Sequence, residues 1–444
     1  MSFPSSGVTS PTSQYVNSIS EFFPNPNRVY KIEGSFIGKN HYDQLPSNAN
    51  LRDMSISDSY VEFLIPASQD EFIDLSSIVI EMMIKVTMAD GKDIDPATHI
   101  SAIDDIGERI LSSSSIFLNG VQVENNSNFG LYNTIKTYFS MGKEDMETFG
   151  RNMFCKHYKD KIPKVFDANS IKNPPSAEAS IIATCRDVIH LMTPLKLDIA
   201  TGDFYLLNAV DMRMRFQLAS PSVVLNSSSG LDFTYGIRSA KLLCKKILPN
   251  PPALLALNRS LVNDKMKTVQ YITERPIIKE YIFPANHNSL NIDDVFHGIR
   301  PHKVFLFMID QNSLNGSFSQ NAAYLEHLNV GNLTLEVNSM VHSSIKLEFP
   351  NKITNGFYHT LSNLKGEKNL LTYENFKKGR TLFCWDLTTS DTTDTLNVEK
   401  KGNIRISLQT DVAVPQNTSV YIVGITNGVV EIDGNRRVKC NYLM

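Results

Sequence analysis

The chain has 444 residues, of which 42% are hydrophobic and 20% charged, and a formal net charge of −3. It is too long for one ordinary sandwich, which predicts two domains with substantial cores. The near-neutral balance excludes a protein that coats nucleic acid through phosphate contacts, since that needs a basic face, and no sequence-specific nucleic-acid binding is expected.

Residues 1–27 are rich in Ser, Pro, Asn and Thr, almost uncharged, and carry isolated apolar residues such as Phe22 and Phe23. They read as a flexible N-terminal arm that orders against a partner. The start, MSFPSSGVTSPTSQY, lacks the basic and apolar regions of a secretory signal. No run approaches the roughly 18 consecutive apolar residues of a membrane helix, so no membrane span is expected.

From residue 28 onward strands dominate, beginning with VEFLI before Pro66. In SSIVIEMMIKVT, Ile78, Ile80, Met82, Ile84 and Val86 share one face, while Glu81, Lys85 and Thr87 share the other with Val79 and Met83. That alternation predicts a core strand with one partly solvated face. The following loop, ADGKDIDPATH, offers Asp90, Asp93, Asp95 and His99 but lacks calcium-loop spacing, so a solvated loop is expected.

SSIFLNGVQVE, Ser114 to Glu124, predicts a complete hairpin. Asn119-Gly120 is the pair that best tolerates positive φ at both central positions of a type I′ turn. GLYNTIKTYF then predicts a helix with Leu131, Ile135, Tyr138 and Phe139 along one apolar stripe. DMRMRFQL at 211–218 reads as a strand, and the LNSSSG run ending at Gly230 interrupts the hydrophobic pattern. This places a first domain over 28–230 and a second over 231–444.

In the second half, PALLALNRSL after Pro251-Pro252 predicts a helix, with proline tolerated in its first turn. HKVFLFMID at 302–310, NIRISLQT at 403–410 and SVYIVGI at 419–425 predict strands.

Four short segments recur between the halves in the same order, which makes a repeat the organising feature. EFLIPA at 62–67 resembles EYIFPA at 280–285, and the Asn119-Gly120 hairpin resembles LEVNSMV, with Asn338-Ser339 at the turn. GLYNTI at 130–135 resembles GFYHTL at 356–361, and DMRMRFQ at 211–217 resembles NIRISLQ at 403–409. Each half therefore reads as a strand through a proline corner, a hairpin, a helix, a long excursion and a late strand. The excursions fall at roughly 143–200 and 366–400. Many strands and few short helices predict an all-β protein of two tandem jelly-roll sandwiches.

Chemical motifs are absent. No phosphate-cradling loop, nucleophile elbow or paired-histidine helix occurs, and no cofactor, metal or catalytic residue is expected. The ten histidines are dispersed, and His297 and His302 flank Gly298 and Pro301, which suits a turn. Asp293-Asp294 and Glu62 are carboxylates that a hydrolase would need at a defined separation, and a solvated face explains them as well. The sequons at Asn226 and Asn417 are expected to be unused, and Lys245-Lys246 and Arg436-Arg437 read as solvated surface. Five scattered cysteines, Cys155, Cys185, Cys244, Cys384 and Cys440, never form a C-x-x-C pair and read as buried small hydrophobes of a reducing compartment.

The hairpin IFLNGVQVE and the segments YLLNAVDMRMRF (205–216), LFMIDQNSLNGSFSQN (306–321) and VYIVGITNGVVEIDGNRRV (420–438) carry a resemblance. They are similar to the double jelly-roll major capsid proteins of Polinton or Maverick elements and adintoviruses, distant relatives of adenovirus hexon and virophage capsid proteins. The resemblance implies a homotrimer whose six jelly rolls form a pseudo-hexagonal capsomer, tiled into an icosahedral shell around double-stranded DNA. Its implied partners are neighbouring capsomers and penton and minor capsid proteins, and its implied location is the virion, assembled inside the host cell. The excursions would be loops toward the outer face or neighbouring subunits. The competing readings are a two-jelly-roll hydrolase and a carbohydrate-binding attachment protein, since sandwiches host both.

Overall fold

Strand Phe72–Met88 (β3) sets the pattern, with Ile78, Ile80, Met82, Ile84 and Val86 buried and the intervening residues half-exposed. The period of two that defines this face in the sequence is the pleat itself. The computed structural model describes residues 36–43, 60–95, 98, 100–145, 164–165, 188–200, 204–227, 230–249, 251–262, 268–347, 354–364, 369–388 and 400–441. The N-terminal arm and most of the first excursion lie outside the described residues.

Seven further strands complete the first sandwich: Phe36–Asp43 (β1), Tyr60–Ile65 (β2), Leu111–Leu118 (β4), Val121–Asn126 (β5), Val188–Pro194 (β6), Met212–Leu218 (β7) and Phe233–Ile247 (β8). They form two antiparallel sheets, ordered β1-β8-β3-β6 and β2-β7-β4-β5. This order is the double Greek key of a jelly roll.

The second sandwich is built from Thr268–Phe283 (β9), Ser289–Ile292 (β10), Lys303–Asp310 (β11), Val330–Val337 (β12), Met340–Lys346 (β13), Leu382–Asp386 (β14), Ile404–Thr410 (β15) and Thr418–Asp433 (β16). Its sheets run β9-β16-β11-β14 and β10-β15-β12-β13. Adding eight to each strand of the first sandwich gives the order of the second, so the repeat is complete at the level of topology. A last strand, Val438–Asn441 (β17), folds back on β16.

Three of the four sequence echoes fall on equivalent elements: the hairpins β4–β5 and β12–β13, the helices Phe129–Ser140 (α2, following the short helix Ile106–Arg109, α1) and Thr354–Asn363 (α4), and the strands β7 and β15. The fourth does not. Glu62 lies on β2, paired with β7, whereas Glu280 lies near the end of β9, paired with β16 in the other kind of sheet. A strand running into proline is a local device that both sheets use.

The domain boundary expected at 230–231 needs correction. Strand β8 begins at Phe233 yet is hydrogen-bonded between β1 and β3, so it completes the first sandwich. The first sandwich therefore ends at Ile247, and helix Pro251–Val262 (α3) leads to β9. The polar run that suggested a linker includes Leu225–Ser227, which pairs with Ile100–Ala102. The excursions need a second correction, because their described parts include β6, β14 and helix Tyr373–Lys377 (α5) rather than loops alone.

Each sandwich has its own core. Phe63, Ile65, Ile80, Met82, Met214 and Phe216 are among those that fill the first, and Leu306, Leu333, Trp385, Ile406 and Ile422 the second. Full burial of each large side chain contributes roughly 1.5–3 kcal/mol. The long strands β9 and β16 pair over all their residues and serve both cores. Val269, Tyr271, Val430 and Ile432 pack into the first core, while Phe283, Val420 and Ile422 pack into the second. Pro276 is accommodated in β9 because this is an edge strand, where a residue without an N–H can face away from the sheet.

Candidate functional site

The two hairpin turns share one construction. Asn119 and Gly120 have φ of 45° and 78°, and Asn338 and Ser339 have φ of 51° and 62°. The flanking pairs Leu118↔Val121 and Val337↔Met340 close two-residue loops, so positive φ at both central residues makes each a type I′ turn. In the first, the Asn119 side-chain oxygen accepts from the Asp211 N–H at 2.8 Å. In the second, the Asn338 oxygen accepts from the Asn403 N–H at 2.9 Å. Both asparagines thus tie the hairpin to the residue just before the neighbouring strand. Replacing Gly120 with Val, which resists positive φ, is expected to lower stability by about 1 kcal/mol or more, read as a fall in melting temperature.

A constellation of buried charge lies at the seam between the sandwiches. Helix α2 was expected to bury one stripe, but Tyr132, Asn133, Thr134, Lys136 and Thr137 are buried as well as Ile135, Tyr138 and Phe139. The reason is tertiary: the second sandwich covers the side of α2 that its own sandwich leaves open. Phe139 stacks on Phe305 of β11 at 4.6 Å between ring centroids, within a cluster that also holds Tyr132, Phe307, Leu382, Cys384 and Val423. Gly130 permits this helix to approach its own sandwich, since a Cβ there would meet the Leu111 carbonyl oxygen at 2.7 Å.

Buried charges cross or flank that seam. Arg380 lies 2.6 Å from Asp104, both side chains are 0% exposed, and the guanidinium sits 4.6 Å from the centre of the Tyr138 ring. Arg109 donates to the Ala322 carbonyl at 2.9 Å. Lys136 lies 3.1 Å from both Asp198 and Glu274, joining the first sandwich to β9 of the second. Lys196 lies 2.9 Å from Glu108, which also accepts from the Thr137 hydroxyl.

The electrostatics follow from this crowding. Burial alone would lower the Lys136 ammonium, yet Tyr132, Glu274 and Asp198 hold it well above its ordinary value. Burial raises Glu274, but Lys136 outweighs it and keeps the carboxyl below the usual range. Glu124, which accepts from the Asp198 N–H at 2.8 Å and from Ser114 at 3.0 Å, is pushed up to about 8 by burial and the nearby Asp198 charge. Asp198 is raised to about 6, first by burial.

These residues are missed by motif reading because they come from distant segments. One local signal exists: Lys136 is the sole charged residue within Phe129–Ser140, and a solvated helix carries more. Convergent carboxylates in a seam suit a hydrolase, and the seam is not purely apolar. Here, however, Asp104, Glu108, Asp198 and Glu274 each sit against a buried or largely buried cation, and two of these pairs, Asp104–Arg380 and Glu274–Lys136, cross between the sandwiches, an arrangement that suits joining two domains better than activating water.

The other candidate carboxylates are dispersed. Glu62 pairs with Arg215 at 2.8 Å in the first sandwich, and Asp293 pairs with Arg405 at 2.9 Å in the second. Asp294 accepts from the Gly298 N–H at 2.9 Å in a turn where His297 has φ of 54°. Asp90 pairs with Lys92 of the same loop and Asp93 with Lys85 of β3, while His99 lies outside the described residues. Among the described residues, no group of three or more His, Cys, Asp or Glu is placed to hold a metal.

The two surface readings fare differently, the first agreeing with the structure and the second being corrected. Asn226 is buried, which leaves no room for a glycan. Arg436 is half-buried rather than solvated: its guanidinium donates to the Asn208 side chain at 2.6 Å and to Asn258 at 3.0 Å, clamping the last turn onto the first sandwich. Cys244 and Cys384 are buried free thiols, and Cys440 is a half-exposed one, while Cys155 and Cys185 lie outside the described residues. No helix among the described residues is long and apolar enough to cross a membrane.

No protein-family model and no curated protein matches the chain. Solved structures do. A 3.5 Å cryo-EM structure of the Sputnik virophage matches with a TM-score of 0.60 at 13% identity, covering 95% of this chain and 92% of the matched one. The quasi-atomic capsid of PBCV-1 virus matches with a TM-score of 0.57 at 13% identity over 95% and 99% of the two chains. The crystal structure of the mavirus major capsid protein matches with a TM-score of 0.52 at 10% identity over 95% and 94%. The likeness spans both sandwiches, and the chain has the double jelly-roll fold of these viral capsid proteins.

Proposed function

We propose that this chain is a major capsid protein that acts by self-assembly. The observation that carries the reading is the duplication itself: two sandwiches of identical strand order in one chain, a likeness to viral capsid structures over 95% of its length. Three such chains supply six similar sandwiches, so a trimer tiles a hexagonal net as six equal units would. The shell encloses double-stranded DNA, and its near-neutral wall needs no sequence-specific contact. Neighbouring capsomers and penton and minor capsid proteins are its partners, and we assign it to the Polinton and adintovirus group on the sequence segments that resemble that group. Catalysis plays no part in this role.

Light scattering of the purified protein across concentration and salt tests the reading. A species near three times 49.8 kDa is expected, with shells visible by electron microscopy on further association. A monomer under every condition overturns it.

A further inference from the structure

We infer that the β12–β13 hairpin end and the outward stripe of α4 dock on the first sandwich of a second copy of this chain, against the outer face of β3 and β6. The inference rests on the capsomer reading and names the contact that would build it.

The argument is a comparison of equivalent elements within one chain. In the first sandwich, the helix after the hairpin is covered by the second, and the hairpin end is touched by its last turn and strand, with Val121 37% exposed. The Asn119 side-chain N–H donates to the Arg436 carbonyl at 2.8 Å, and the Cys440 thiol lies 3.6 Å from the Gln122 carbonyl oxygen. Tyr132 of α2 is 0% exposed. The same elements of the second sandwich are bare. At its hairpin end Met340 is 72% and Val341 62% exposed, and Tyr358, which matches Tyr132 in the GLYNTI and GFYHTL echo, is 72% exposed.

Those bare residues form one region. Strand β13 is the edge of its sheet, and α4 lies beside it, with Ser343 and His359 3.1 Å apart. An edge strand ending in large apolar side chains is a surface that natural proteins cover.

The occupant is set by the repeat. Within the chain, α2 is capped by the outer face of β11 and β14, through Phe305, Phe307, Leu382 and Cys384. The corresponding face of the first sandwich belongs to β3 and β6, where Val79, Met83, Met192 and Pro194 lie on one side of paired strands and are half-buried. This explains why a strand with a solvated face carries Val79 and Met83 among its charges. The contact joins unlike surfaces of identical chains, so it propagates head to tail and ends only by closing a ring.

Two measurements on the full chain decide the matter. Combining Met340→Glu with Tyr358→Arg is expected to weaken the trimer at least about 100-fold, with an unchanged melting temperature for the monomer, because both side chains are largely exposed there. Lysine-reactive cross-linking of a mixture of isotope-labelled and unlabelled wild-type protein is expected to join Lys346 of one copy to Lys85 or Lys241 of another. A trimer that persists in the double variant, or inter-copy links confined to other faces, overturns the docking surface while leaving the capsomer reading standing. A wild-type protein that is monomeric throughout overturns both. If the double variant fails to fold, the wild-type cross-links alone decide.

Discussion

Replacing Arg380 with Met is expected to destabilise the protein by about 3–5 kcal/mol, the typical cost of removing one partner from a buried ion pair. Arg380 and Asp104 are both fully buried and 2.6 Å apart, so the variant takes the Arg380 cation away from a carboxylate that water does not reach. It also removes the cation from the face of Tyr138. The pair joins residues 276 apart in sequence, from different sandwiches, and its loss falls on the seam. Guanidinium unfolding is the measurement. A companion variant, Asp104→Leu with Arg380→Met, is expected to recover more than half of the loss, because two apolar groups need no charge compensation. A single variant within about 1 kcal/mol of wild type would mean that the seam does not depend on this pair.

Raising the pH from 6.5 to 8 is expected to lower stability through Glu124. Its folded value of about 8 stands above the ordinary 4.5, so the folded state holds a proton that the unfolded chain has released. That contribution is complete below the unfolded value and is lost as pH rises through the folded one, a change of up to about 2 kcal/mol over this window. Asp198, raised to about 6, acts in the same sense and has mostly finished by pH 6.5. His302, His327 and His359 are lowered by burial and act oppositely, an effect that extends into the lower part of the window because their unfolded value of 6.5 marks its edge, and that is common to wild type and variant. Glu124→Gln keeps the shape of the protonated side chain and cannot titrate. Thermal unfolding of this variant should therefore lose less stability than wild type between pH 6.5 and 8. Parallel curves for the two proteins would assign the dependence to another group.

Both effects sit in the seam, and neither is visible in any one stretch of sequence. Lys136, Asp198 and Glu274 come from a helix, a short turn and a strand of the other sandwich, and only the packing of α2 against the second sandwich brings them together. Desolvation, which sets their charge states, is a property of that packing.

By itself, the sequence determined the local elements and the repeat. Alternation of apolar residues placed β3, β7 and β15, because a strand's two faces are written directly as odd and even positions, while the continuous apolar run VFLFMI placed β11, which is buried on both faces. Asn119-Gly120 and Asn338-Ser339 located both hairpin turns, because few residue pairs accept positive φ twice. The tertiary structure alone decided membership. Strand β8 follows a polar run that looks like a linker, yet it belongs to the first sandwich because its ladder partners, β1 and β3, lie far back in the chain. Helix α2 shows one apolar stripe in its sequence, yet its polar positions are buried as well, because the second sandwich lies over it. Local propensity reports on neighbours in sequence, whereas strand partners and burial depend on neighbours in space.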